Sequence, residues 1–321
     1  MTALVPPRTV ESPTSQRRRT QRRSEPRPLR WRRGSRRRGH EPGRRSLLVR
    51  LLVVVIAFVW SLPTAGLLIS SLRAPGAIAT SGWWTAIAHP FETSQWTLAN
   101  YVSVLGDRGM FDAFVNSLVI AIPATVIPIS LAAFAAYAFA WIEFPGRKVL
   151  FAVVVGLLVV PLQMTLVPLL QLYVGWHLTG TYLGTWLAHT GFGLPMAIFL
   201  LYNYVADLPK ELMEAAYVDG ASHFTAFLRL VLPLAAPVLA AFAIFQFLWV
   251  WNDFLVAYIF LGTSSDVAVL TAQLQQLVGT RGEDWHLLTA GAFVSMVVPL
   301  VVFLTMQRYF VRGLLTGGVK G

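Results

Sequence analysis

Apolar residues in this 321-residue chain fall in long unbroken stretches, without the alternation of a half-buried strand or the one-sided stripe of a soluble helix. No Asp, Glu, Lys or Arg occurs from Leu51 to Leu72, Ala113 to Ile142, Val149 to Ala206, Leu230 to Asn252 or Trp285 to Gln307, and apolar character continues past Asp253 to Leu261. Because about 20 helical residues cross a hydrocarbon layer and a charge at its centre costs about 2.5 kcal/mol or more, each stretch predicts a spanning helix. Val149–Ala206 is 58 residues long, too many for one crossing, and Gly175–Gly180 supplies a turn that divides it. The pattern predicts an all-α integral membrane protein with six transmembrane helices.

The polar positions between the stretches set the orientation. Lys and Arg favour the cytoplasmic side. With the N-terminus inside, Arg147, Lys148, Lys210, Arg229, Arg308, Arg312 and Lys320 all fall inside, against Arg73, Arg108 and Arg281 outside. Both termini are therefore expected to be cytoplasmic, in a cell membrane. The outer connections run from Arg73 to about Phe111, through a short turn near Gly180, and from Gly262 to Asp284. The inner ones are Glu143–Lys148 and a longer loop over 207–233.

Composition agrees: 55% of residues are hydrophobic and 13% charged, against about 25% charged in an ordinary soluble domain. The formal charge of +11 suggests a nucleic-acid binder until it is located. Residues 1–46 hold 15 Arg and 3 Glu, whereas the other 275 are almost neutral. With few apolar residues, 1–46 is expected to be a disordered Arg-rich cytoplasmic tail lying against anionic membrane lipids, and nucleic acid is not expected as a partner. Arg44-Arg45 before an apolar run has the look of a twin-Arg export signal. The run is too long, and no small-residue cleavage site follows, so it stands as the first transmembrane helix of a domain over 47–321.

Catalytic chemistry has few residues to use. There is no cysteine, no glycine-rich phosphate loop, and no histidine pair at i, i+4 among the six histidines, so neither a metal site nor a catalytic site is expected. The informative loop is 207–233. Pro209 suits a helix start, Glu211 and Glu214 sit where a helix dipole favours acids, and Gly220 permits the positive φ of a C-terminal cap. A short helix, a turn and a second helix result. Ala215 and Ala216 leave a face that another protein can approach closely, with Phe224 and Phe227 as apolar anchors.

The spacing Glu214-Ala215-Ala216, then Gly220, then Leu230 and Leu232-Pro233 resembles the EAA loop of binding-protein-dependent ABC importer permeases. Leu230 stands where Ile is commoner. Asn116-Ser117-Leu118, Ala136-Tyr137-Ala138-Phe139-Ala140 with Phe144-Pro145-Gly146-Arg147, Trp251-Asn252-Asp253-Phe254 and the ending from Arg312 are similar to further segments of the carbohydrate permeases of the maltose-transporter G-subunit type. The resemblance covers roughly 47–321. It implies a coupling helix in which Glu214, Ala215, Ala216, Asp219 and Gly220 meet an ATPase subunit, and no cofactor on this chain, since ATP and Mg would be used by that partner. It also implies a second permease forming a heterodimer, two ATPase subunits and an extracytoplasmic sugar-binding protein.

Asn252, Asp253, Trp251, Gln273 and Gln276 are possible contacts to the pathway or the binding protein. A straight helix from Pro233 would carry Asp253 to the outer interface, where it serves either structure or substrate. Leu270, Leu274 and Leu277 also fit a short amphipathic helix resting on the membrane surface. Two alternatives stay open: an ABC permease for a non-sugar solute, and an ion-coupled secondary transporter, for which Asp253 alone is a poor endowment.

Overall fold

The computed structural model describes residues 44–278 and 284–317, with side chains described for 47–278 and 284–305. Residues 1–43 of the Arg-rich tail expected over 1–46, Arg281 and the side chains of the ending from Arg312 lie outside those limits, while Arg44, Arg45 and Ser46 open the first helix. Two compact units divide the chain, Met1–Ala57 and Phe58–Gly321. In the first, the described residues form the opening half of a helix whose side chains from Leu47 to Ile56 are about half exposed or more.

The elements are α1 (Arg44–Ser71), α2 (Pro75–Thr80), α3 (Trp83–Ala88), α4 (Ala99–Leu105), α5 (Met110–Ala121), α6 (Pro123–Trp141), α7 (Arg147–Leu157) and α8 (Leu162–Gly175). They continue as α9 (Tyr182–Ala206), α10 (Lys210–Val218), α11 (His223–Ala226), α12 (Leu232–Leu234), α13 (Ala236–Trp251), α14 (Leu255–Phe260), α15 (Leu270–Leu277) and α16 (Trp285–Gly317). Among the described residues the only extended pairing is one bridge between Arg73 and Trp96.

Among the described residues, four segments are long and apolar enough to cross a membrane: Leu47–Ser71, Met110–Trp141, Tyr182–Ala206 and Trp285–Thr305. Two more qualify only as bent pairs. Helices α7 and α8 meet at 105°, and the run His223–Leu234 meets α13 at 71°. The straight helices expected over 149–174 and from Pro233 onward are therefore broken. Pro161 precedes α8 in an extended conformation, and Pro233 has no N–H to continue the ladder. Just before Pro233, Phe227–Val231 winds as a π-turn, with the Leu232 N–H bonded to the Phe227 carbonyl.

Helices α6 and α9 form the centre of the larger unit. Ala132, Ala136 and Ala197 are fully buried, and small residues of this kind let two backbones approach. Gly193 on α9 faces the Gln246 amide of α13 so closely that a Cβ there would lie 2.6 Å from it. That amide in turn donates to the Ala124 carbonyl of α6 at 3.2 Å, so one buried glutamine ties three helices.

At the end that carries residues 73–109, Arg73 is 1% exposed and organises its segment through neutral oxygens: the carbonyls of Ser81 and Ala77 and the hydroxyls of Ser81 and Thr85. Burial holds its guanidinium below the ordinary value. Asn100 accounts for the chain just before it, donating to the carbonyls of Ser71 and Arg73.

Candidate functional site

Helix α10 follows Pro209 and carries Glu211 in its first turn. It ends at Asp219. Gly220 takes φ +82°, its N–H bonds to the Tyr217 carbonyl, and the Ala221 N–H reaches back to Ala216. These two bonds form a Schellman cap, which needs a left-handed residue at this position and so suits glycine. Ser222 then caps α11 by accepting from the Thr225 N–H at 3.2 Å.

Glu214, Ala215, Asp219 and Gly220 are exposed and Ala216 is half-buried, while Met213 on the opposite face is 2% exposed in the core shared with α6 and α9. Between α10 and α11 lies a cleft of about 610 Å³ lined by Ala215, Ala216, Asp219, Gly220 and Arg229. Val218 and Phe224 stand out from the same end at 87% and 63% exposure. The five residues expected from the loop pattern thus share one accessible, sharply turned surface.

The second group is spread along the opposite end. Trp251 is 3% exposed, stacked on Phe247 and edge-on to Phe114, with its indole N–H on the Ser295 carbonyl. Asn252 is exposed and donates to the Leu248 carbonyl, closing α13. Asp253 accepts from the Ala257 N–H at 3.0 Å and so holds the start of α14. Because the helix is bent after Leu234, Asp253 is not carried out along a straight axis. It lies instead beside His189, about 10 Å along α9 from its first residue, with Nε2 and Oδ2 3.8 Å apart. At that separation no hydrogen bond forms. The His189 ring is edge-on to Trp249.

Trp249 lines a cavity of about 380 Å³ with Thr165, Gly191, Phe192 and Leu158, at the break between α7 and α8. Gln273 donates to the Arg108 carbonyl, whereas Gln276 is free to face outward. Helix α15 does not rest on a membrane surface alone. Leu270 and Leu277 are buried against α5 and α16 in the core of the protein itself.

Sequence patterns alone did not reveal the ties between distant segments. Asn116 donates to the carbonyls of Asp266 and Ala268 and accepts from the Tyr182 hydroxyl. Ser117 accepts from the Leu270 N–H, and Thr271 donates to the Asp253 carbonyl. Together they latch the segment before α15 onto α5, α9 and the α13–α14 break. Among the described residues no three His, Asp or Glu side chains converge as a metal site would need.

Residues 43–316 match the family of binding-protein-dependent transport system inner membrane components. The chain belongs to that family. Similar curated proteins include the osmoprotective compounds uptake permease GgtD of Synechocystis, 60% identical over 85% of this chain and 92% of that one. The alpha-glucoside transport permease AglG of Rhizobium meliloti is 46% identical, over 87% and 99%. The same fold occurs in a solved bacterial ABC transporter that imports alginate, at 17% identity, TM-score 0.67, and coverage of 83% and 96%. A membrane permease of this family is what the long apolar helices and the turned loop suggest.

Proposed function

We propose that the chain is the membrane-spanning permease subunit of an ATP-driven, binding-protein-dependent sugar importer. It crosses the membrane six times, with the two bent pairs each counted as one span and both termini cytoplasmic, a reading that the distribution of Lys and Arg supports. A second permease completes the pathway as a heterodimer, and two ATPase subunits use ATP and Mg. An extracytoplasmic binding protein delivers the solute. The name of the 46% identical relative supports an α-glucoside as the solute; the 60% identical relative favours a second reading, an osmoprotective compound.

One observation carries the coupling assignment: the Schellman turn at Gly220 presents Glu214, Ala215, Ala216 and Asp219 together on an exposed helix end. A short helix with small residues on its accessible face lets a partner's groove close around its backbone. On the solute side, the Trp249 cavity at the broken α7–α8 pair offers an apolar ring face for the CH groups of a sugar, with irregular backbone where it lines a cavity.

Because the chain has no cysteine, a single introduced thiol gives an unambiguous crosslink. Ala215→Cys should form an adduct with a cysteine-bearing ATPase subunit in the assembled complex, and Val102→Cys, 71% exposed at the other end, should not. Absence of an adduct at position 215 in every nucleotide state would overturn the assignment.

A further inference from the structure

The coupling loop is tied to the bundle by a polar contact that the EAA pattern does not contain. The Tyr217 hydroxyl on α10 lies 2.9 Å from His223 Nδ1 at the start of α11, and the Tyr137 hydroxyl on α6 lies 3.1 Å from the same nitrogen. The two hydroxyls are 3.4 Å apart. Tyr137 is 5% exposed and its ring packs on Phe227 at 5.3 Å, so one member is fixed in the core while the other two belong to the exposed loop.

The other anchor of α10, Met213, is an apolar contact with no preferred direction. Hydrogen bonds weaken steeply with distance and angle, so a shared Nδ1 resists relative displacement of the groups around it. A neutral imidazole with its proton on Nε2 accepts at Nδ1 from one phenol, and the second phenol, 3.4 Å from the first, shares that lone pair or donates to the first hydroxyl. Tyr137 sits on α6 between Ala136 and Phe139, on the face that packs in the core with α9. A push on α10 therefore reaches the central helix pair through three side chains.

We propose that Tyr137, Tyr217 and His223 form a joint that makes α10, α11 and α6 move as one body when an ATPase subunit displaces the loop. All three are positioning residues. The inference rests on the docking of α10 proposed above.

Nitroxide labels at Val218 on α10 and Ser130 on α6, both exposed positions, measure the joint inside the full assembled complex with ATP–vanadate as the probe. In the parent the label-to-label distance should stay single and narrow with and without nucleotide. His223→Asn, whose Oδ1 can replace Nδ1 as acceptor, should keep it so. His223→Leu should give a distance that shifts or broadens when ATP–vanadate is added. Tyr137→Phe, which keeps the ring and removes one hydroxyl, should do the same to a lesser degree and reads the link if the leucine variant fails to fold.

A parent distance that itself shifts, or leucine and phenylalanine variants indistinguishable from the parent, would overturn the joint. The crosslink at position 215 in the same complex separates the two ideas: if it forms, only the joint has failed, and if it is missing, the docking of α10 has failed and the joint with it.

Discussion

Gly220 concentrates the residue-scale argument, because its φ of +82° is a conformation that a β-branched residue strongly resists. Gly220→Val has open space around the missing Cβ, so the cost is conformational, at least about 1–2 kcal/mol, or roughly tenfold in the population of the correct turn. Membrane insertion should be unchanged while ATP-dependent uptake falls about tenfold or more at equal expression. Uptake at the parent level would remove the turn from the mechanism.

This residue was legible in the sequence, since the glycine, the preceding acids and Pro209 are local signals that act within a few positions. The joint at His223 was not, because Tyr137 lies 86 positions from it. Nor was the approach of His189 to Asp253, which depends on where two helices break. Trp251 and Asn252 read as functional from their position in a motif, yet their side chains close α13 and fasten it to α16.

At the scale of elements, long apolar runs marked where helices lie but concealed where they bend. Within Val149–Ala206 every position is uncharged, so the run looks the same on both sides of the 105° break at Leu158–Pro161. Pro161 is the visible cause, although other prolines here, Pro128 in α6 and Pro195 in α9, sit inside continuous helices. Tertiary packing decides which proline breaks a helix.

The latch on the segment before α15 was equally hidden, because Asn116 and its carbonyl partners are separated by 150 and 152 positions. Asn116→Leu leaves two carbonyls and the Tyr182 hydroxyl without their partner, at about 1–3 kcal/mol for each group that stays buried and unsatisfied. Amide hydrogen exchange should therefore speed up over residues 264–272, above all at Leu270, with α9 after Leu194 unaffected. Unchanged exchange in that segment would mean that the buried leucines of α15 hold it without the asparagine.

For the whole molecule, the sequence pattern carried the helical class and the family, the first through the recurring length of the apolar runs and the second through one loop of fixed spacing and the shorter motifs around it. What the larger unit adds is a physical route between its ends. On the proposed docking at α10, a displacement would pass through Met213 and the tyrosine–histidine joint to α6, through small-residue contacts to α9, and through Gln246 to α13. From α13 it would reach the Asp253 break, where Thr271 donates to the Asp253 carbonyl. Such a route would serve the proposed importer in alternating access, by rocking of one permease against the other.

The most direct measurement is solute uptake by liposomes holding the complete complex, with a labelled α-glucoside as the solute. Accumulation should require ATP and Mg on the side of α10 and solute-loaded binding protein on the side of α15, and should stop when either is withheld. Accumulation driven by an ion gradient with no ATP present, or unaffected by removal of the binding protein, would contradict the proposed function.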